Sequence, residues 1–286
     1  MNKGFKRVLT ISLILIFVGI ALLVGSLIAS KGDFKTISNS FEKLGIMTGN
    51  SSSVEKTITY DMTSELKNIN LSFINSRIII TKSPDKKVHV SYETRKNYIY
   101  EENKSNDQLL INEKANWSFF NFDFGTTEVT VSIPEDSNVS DISLNVVNGS
   151  LTVKNINTAQ LLLNGTNTSS TVTGVKMTTL RFGTVNGNLD MLDSSTKSLT
   201  FNNTNGSATL SNTSFTDAVM TTVNGSATLA LIGKKDDYKV TFGVINGQLE
   251  VNNDTFKGST TLNGSDPKSS ISYNGTNASM ILKTIE

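Results

Sequence analysis

The chain contains one histidine, His89, and it lies inside the short apolar run Val88–Val90. Serine-type catalysis needs a histidine with a serine before it and an acid behind it. No G-x-S-x-G elbow accompanies His89, and the sequence points to no partner for it, so a structural strand histidine is expected. Carboxylates offer a second chemistry, because repeat-built β proteins can host polysaccharide hydrolysis. That reaction needs two acids about 5–5.5 or 6.5–9.5 Å apart. Asp190 and Glu250 fall at equivalent outward positions of a repeat, three copies apart in sequence. At about 4.8 Å per layer the gap is about 14 Å, too wide for the pair to act together. The chain has no cysteine, which excludes thiolate metal sites, disulfides, a cysteine nucleophile and a lipidated cysteine. P-loop, dinucleotide, EF-hand and HExxH patterns are also absent. No enzyme, cofactor or metal site is expected.

Hydroxyl side chains form the third candidate. The pairs Ser150/Thr152, Ser169/Thr171, Ser207/Thr209 and Ser226/Thr228 recur at fixed offsets. On one outward face they make a flat hydroxyl array suited to a glycan or, less well, to ice. Solvated strand faces favour Ser and Thr in any case, and Asn188/Asp190 and Gln248/Glu250 interrupt the array.

What positions these residues is a repeat. Asn148, Asn167, Asn186, Asn205 and Asn224 follow one another at intervals of 19 residues, and Asn246 comes after a three-residue insertion. With each Asn as position zero, position +1 is Gly149, Gly187, Gly206, Gly225 or Gly247, with Thr168 the exception. Position −4 is Leu144, Leu163, Phe182, Phe201, Met220 and Phe242, and position −6 is apolar in every copy. Positions +3 and +5 are apolar too, except Ser170. Two outlying copies centre on Asn75 and Asn277, giving eight in all.

This is period-two alternation on both sides of a sharp corner, with Gly supplying positive φ there. A β-hairpin with a type I′ turn would need an apolar residue at +7. Position +7 holds Asn155, Gly174, Asp193, Asn212, Leu231 and Asn253. These are mostly turn residues, so they mark a second corner and favour a β-solenoid over the alternative of stacked β-hairpins. Four inward apolar side chains cannot offset the entropy of ordering a whole coil, so each coil must lean on its neighbours. Stacked corner asparagines can also form an amide ladder.

Between the first two copies, Val88–Tyr92, Leu109–Ile111 and Glu128–Ile133 read as strands, and Lys82–Lys87 and Glu101–Asp107 as polar turns. Pro267 sits in a loop before the last copy. The run Trp117, Phe119, Phe120, Phe122 and Phe124 places apolar groups on both faces of any strand. It reads either as a buried cap or as a contact patch for membrane or partner.

The N-terminus differs in kind. Val8–Ala29 is a run of 22 uncharged residues. As a helix it spans about 33 Å, the thickness of a hydrocarbon core. It exceeds a signal-peptide core and lacks a small-x-small exit, so a retained anchor is expected. Lys3, Lys6 and Arg7 precede it and place the N-terminus in the cytoplasm. Net charge is +1 and those three residues supply +3, so the remainder sums to −2 and offers no basic surface for nucleic acid. Phe34, Ile37, Phe41 and Leu44 permit a short amphipathic juxtamembrane helix.

The anchor, the Gly32–Phe34 segment, the run NWSFFNFDFG, the strand VTVSIPED and the units VNGSL, VNGNL and INGQL together carry a resemblance that covers nearly the whole chain. The sequence resembles the domain-of-unknown-function-4097 family of bacterial surface proteins, catalogued as adhesins with β-strand repeats. Some members are encoded with cell-envelope stress systems, so the resemblance implies a similar setting.

The expectation is therefore an all-β β-solenoid with an N-terminal transmembrane helix. Residues 1–30 are the cytoplasmic start and anchor, 31–55 a juxtamembrane linker, and 56–286 an extracytoplasmic β-repeat domain. Its corners are Asn75, Asn148, Asn167, Asn186, Asn205, Asn224, Asn246 and Asn277. The expected function is a single-pass, non-enzymatic cell-membrane protein that presents a binding or adhesion surface to an envelope protein or glycan. An accessory or sensor of an envelope-stress system is the alternative, and a carbohydrate-active solenoid enzyme comes after it.

Overall fold

The computed structural model describes residues 54–285 except 64, 97, 116–124 and 138. The proposed anchor, residues 31–53 of the juxtamembrane segment and the aromatic run Trp117–Phe124 lie outside the described residues, while Val54 and Glu55, counted with that segment, begin the strand Val54–Met62. The described chain is all-β apart from one 3-10 turn, Lys235–Asp237.

The repeats stack in parallel with the register that the asparagines dictate. Leu161 faces Leu180, which faces Leu199, and Asn167, Asn186 and Asn205 align in the same way. Two sides of each coil flank the asparagine corner. Rows −6, −4, +3 and +5 point inward: Leu163, Phe182, Phe201, Met220 and Phe242 are each at most 2% exposed. Like side chains meet like. The Phe182 and Phe201 rings stack at 5.2 Å and 7°, and Phe242 and Tyr273 stack at 5.6 Å and 7°. At the second corner Asn155, Gly174, Asp193 and Asn212 take positive φ between 49° and 64°, as a turn at +7 requires. Leu231 instead continues its strand and is buried. A short third side carries the single bridges Asn157–Lys176, Lys176–Ser195 and Ser195–Ser214. This is a β-solenoid and not a stack of hairpins.

Glycine at +1 serves more than turn geometry. A Cβ added to Gly149, Gly187, Gly206, Gly225 or Gly247 would lie 1.7–2.0 Å from a carbonyl oxygen of the adjoining coil. Backbone passes backbone here, so no side chain fits. From the Asn148 coil onward, where +1 is not glycine, position −2 is glycine. A Cβ on Gly165 would meet the Thr168 Cβ at 2.4 Å, and one on Gly275 would meet the Ala278 Cβ at 2.5 Å. Thr168 and Ala278 fill the inward corner slot that Val146, Thr184, Asn203, Thr222 and Val244 fill from −2 in the other coils. From the Asn148 coil onward the slot admits one side chain per coil.

The spatial order of the coils departs from sequence order at both ends. Ser269–Ile285, the strand of the Asn277 copy, pairs in parallel with Asp217–Ile232 on one side and with Tyr238–Asn246 and Gln248–Val251 on the other. The last copy thus lies between the Asn224 and Asn246 coils. At the other end, Asn68–Phe73 and Ser76–Lys82 lie between the Asn148 coil and an outer layer made of Gln108–Ala115 and Thr127–Ile133. That outer layer is a ninth coil: Leu109 and Ile111 align with Ile69 and Leu71, and Val129 and Val131 with Ile78 and Ile80. Its sequence has no Asn-Gly corner, and residues 116–124, which join its two strands, lie outside the described residues.

Antiparallel strands cover each outer layer. Tyr98–Lys104 and Val88–Arg95 cover the first, with Val54–Met62 beyond Val88–Arg95. Thr260–Asn263 and Asp254–Lys257 cover the last. These caps end the parallel hydrogen-bonding pattern and blunt edges that would otherwise recruit further strands. The Glu101–Asp107 turn expected from sequence is corrected accordingly: Glu101–Lys104 complete the strand Tyr98–Lys104, and the turn is confined to Ser105–Asp107. Its polarity reflects an outer strand with solvent on one side.

Two predictions follow from the packing. Phe201→Ala should cost about 3–5 kcal/mol in chemical denaturation, and a loss under about 1 kcal/mol would remove row −4 from the core. Gly165→Ala should cost about 1–3 kcal/mol by overpacking, and adding Thr168→Gly should recover most of it. The second change leaving stability unimproved would contradict the one-side-chain slot.

Candidate binding surfaces

The corner asparagines form one continuous ladder. Each Nδ2 donates to the Oδ1 of the next Asn: Asn148 to Asn75 at 2.7 Å, Asn167 to Asn148 at 2.7 Å, and Asn186 to Asn167 at 2.8 Å. Asn205 donates to Asn186 at 2.8 Å and Asn224 to Asn205 at 2.9 Å. Asn277 then donates to Asn224 at 2.8 Å and Asn246 to Asn277 at 3.0 Å, following the spatial order and not the sequence. All eight corner residues are brought together, and their amides are mostly occupied with one another. They form a spine between surfaces.

On one side of the spine lies the hydroxyl array. Ser207 and Thr209 align with Ser226 and Thr228, which align with Ser279 and Ile281. The interposed Ser269–Ile285 strand alters the carboxylate spacing inferred from sequence. Asp190 reaches Glu250 through Thr209, Thr228 and Ile281, four steps and not three. At about 4.8 Å per step they are about 19 Å apart.

On the other side, positions −3 and −1 face outward around the inward slot. Two clefts of about 270 and 390 Å³ run along these rows and meet at Gly165. Asn145, Asn164 and Asn202 line them from row −3, and Val147, Thr166, Val185 and Thr204 from row −1. Val147 and Val185 are 45% and 46% exposed. The uncharged composition of these rows is legible in the repeat at positions −3 and −1, but no local motif marks them.

The end of the stack that holds the outer coil carries the charged chemistry. His89 has two partners, contrary to the sequence reading: Nδ1 lies 2.8 Å from Asp61 Oδ1 and Nε2 lies 2.9 Å from Asp85 Oδ1. Asp85 was legible as an i−4 neighbour. Asp61 arrives through the antiparallel strand Val54–Met62, which sequence spacing cannot foresee. Hydrogen bonds donated to the Asp61 and then the Asp85 carboxylate raise the His89 pKa above its ordinary value. Hydrogen bonding to His89 and then Lys87 lowers that of Asp61, and the Lys87 backbone N–H is the main cause of the lowering at Asp85. The His89 side chain is one-third exposed. A cleft of about 460 Å³ between Tyr60, Asp61, Lys87 and Lys104 adjoins this cluster.

Deeper in, Arg95 and Glu113 form an ion pair with both side chains fully buried. Arg95 Nη2 and Nε donate to Glu113 at 2.7 and 3.1 Å. Tyr100 Oη donates to the same carboxylate at 2.6 Å, and the Ile74 backbone N–H at 2.7 Å. Arg95 also donates to the carbonyls of Ile74 and Gly125, and its guanidinium lies 3.8 Å from the Tyr98 ring centre. Burial, reinforced by Glu113, pushes the Tyr100 phenol above its ordinary range, so it remains a donor. Glu113 and Gly125 stand on the two stems of the segment that contains Trp117, Phe119, Phe120, Phe122 and Phe124. Arg95 therefore ties together the two stems that flank that segment. No sequence signal marked it.

A family model described as Toastrack DUF4097 matches residues 66–284. The chain belongs to that family. Its match spans the strands from Asn68–Phe73 to Ser269–Ile285, both tucked end layers included. No curated protein matches the sequence. Among solved structures the chain is similar to a protein of Clostridium sporogenes provisionally named a cell adhesion protein. The identity is 16%, coverage is 80% of this chain and 99% of that one, and the TM-score is 0.33. It is also similar to a protein of Bacteroides fragilis provisionally named an adhesin, with 14% identity, 82% and 99% coverage and a TM-score of 0.47. A third, from Parabacteroides distasonis and provisionally named a lipid binding protein, has 14% identity, 84% and 98% coverage and a TM-score of 0.39.

Two measurements check the charged end of this Toastrack domain. Arg95→Met should destabilise the protein by about 3–5 kcal/mol by stranding a buried carboxylate, and Arg95→Met with Glu113→Leu should recover part of that loss. Raised His89 stabilises the fold fully below its unfolded pKa of 6.5, and that contribution fades as pH rises through the folded value. The lowered Asp61 and Asp85 contribute above their unfolded pKa of 3.8 and lose that contribution as pH falls. Melting temperature should therefore drop more between pH 6 and about pH 8.5 in the native protein than in His89→Gln. Parallel curves would show that the cluster does not couple to folding.

Proposed function

We propose that this chain is a single-pass protein of the bacterial cell envelope that works by binding and not by catalysis. The Val8–Ala29 segment holds it in the membrane, and the β-solenoid is presented outside the cytoplasm to an envelope protein or glycan.

The observation that carries this reading is repetition in register on the outward faces. Parallel stacking puts the same polar side chain at the same outward position in successive coils, as in Asn145 and Asn164. A surface of that kind meets a repeating or extended ligand at many equivalent points. Family membership supports the reading, since the family is one of bacterial surface proteins.

The orientation is tested by adding protease to intact, wall-stripped cells. The β-domain should be digested while the N-terminal fragment stays with the membrane. Protection of the domain, or a mature chain beginning near Lys31, would contradict the tethered, outward-facing arrangement. Binding is tested by incubating the full-length protein with isolated cell envelopes, where saturable retention is the expected result and no retention would end the reading.

A further inference from the structure

We propose that the groove along rows −3 and −1 is a binding site for a linear, uncharged polysaccharide lying parallel to the stack axis. This rests on the binding function proposed above and assigns it a surface and a ligand class.

The argument begins with charge. Charged residues make up 18% of the chain, yet none of the residues lining either cleft is charged. The cleft beside His89, by contrast, carries Asp61, Lys87 and Lys104. A groove for nucleic acid, an acidic polysaccharide or a phosphate polymer would need cations along its length. This one offers carboxamides, hydroxyls and β-branched methyl groups. That is the complement of a chain whose polar groups are neutral hydroxyls and whose ring faces are C–H surface.

The second argument is fixed hydrogen-bonding geometry. On the outward row −3, Asn164 Nδ2 donates to Asn145 Oδ1 at 3.1 Å, so these two carboxamides are held in fixed directions along the groove.

The third argument is form. Gly165 and Gly183 remove side chains where the two clefts meet. The groove is therefore continuous from Ser72 to Thr221, across coils that advance by about 4.8 Å each. Row −3 supplies Asn145, Asn164 and Asn202 and row −1 alternates Val147, Thr166, Val185 and Thr204, so an extended polymer meets carboxamides, methyls and hydroxyls over several coils, while a compact ligand uses only one. Val147 and Val185 supply the apolar wall on which sugar rings can lie.

The experiment is co-sedimentation of the full-length protein, in mild detergent, with cellulose, chitin and polygalacturonate, alongside retention on isolated envelopes. The variants are Val185→Glu with Asn202→Asp in the groove, and Thr152→Glu with Thr209→Glu on the hydroxyl face. All are outward positions, and melting curves check that each variant folds. The inference expects sedimentation with a neutral polymer, at least a tenfold loss in the groove variant and no comparable loss in the hydroxyl-face variant. Sedimentation only with polygalacturonate, or an equal loss in both variants, would overturn it. Retention on envelopes that survives the groove substitutions would leave the binding function standing and refute the groove. Loss of a dimer in the groove variant, without polysaccharide binding in the native protein, would assign the face to a second copy of the chain instead.

Discussion

The fold depends on a corner where the backbone of one coil runs against the backbone of the next. At Gly149, Gly187, Gly206, Gly225 and Gly247 there is no room for a Cβ, and beside them each asparagine amide reaches its neighbour at 2.7–3.0 Å. Close approach and ladder enforce each other. Only coils in identical register can bring amide to amide, and glycine at +1, or at −2 where +1 is Thr168 or Ala278, leaves room for the approach. Once the corner is in phase, the inward rows follow, so that phenylalanine meets phenylalanine at 5.2 Å and the apolar interior is continuous from layer to layer.

A stack of this kind has two weak points, its outer layers, and both are handled alike. The first and last copies of the repeat lie one layer inside the edge, so that Asn68–Phe73 and Ser269–Ile285 are hydrogen-bonded on both sides. The outermost layers are then covered by antiparallel strands with polar outer faces. At the end without an Asn-Gly corner, the buried Arg95–Glu113 pair takes over the backbone groups of Ile74 that the corner exposes. A repeat array thus becomes a closed unit with specialised ends.

Much of this was legible in the sequence because the repeat is written at single-residue resolution. The Asn interval gave the register, the rows −6, −4, +3 and +5 gave the core, and the residues at +7 distinguished a solenoid from hairpins. What escaped has one physical cause. Pairing between strands distant in sequence leaves no local mark, so the insertion of Ser269–Ile285, the ninth coil at Leu109 and Val129, and the Asp61–His89 contact were invisible. The role of Gly at +1 was half seen: positive φ is a local property, whereas the approach of a neighbouring carbonyl is not. The exchange between Thr168 and Gly165 was present in the sequence, but it makes sense only once both are known to compete for one slot. The aromatic run Trp117–Phe124 stays where the sequence left it, between two stems that the structure fixes.

Coil order decides which side chains are neighbours on every outward face, and so which surface a ligand meets. The absence of native cysteine allows a direct test of that order by paired substitution and mild oxidation of the full-length protein. Ser226 and Ser279 occupy adjacent coils at the same outward position, and Ser279 separates Ser226 from the row of Gln248. Ser226→Cys with Ser279→Cys should form an intramolecular cross-link in high yield, identified by mass spectrometry of the digested protein. Ser226→Cys with Gln248→Cys should not. Efficient linkage of the second pair and failure of the first would mean that the coils stack in sequence order, contrary to the interleaved end described above.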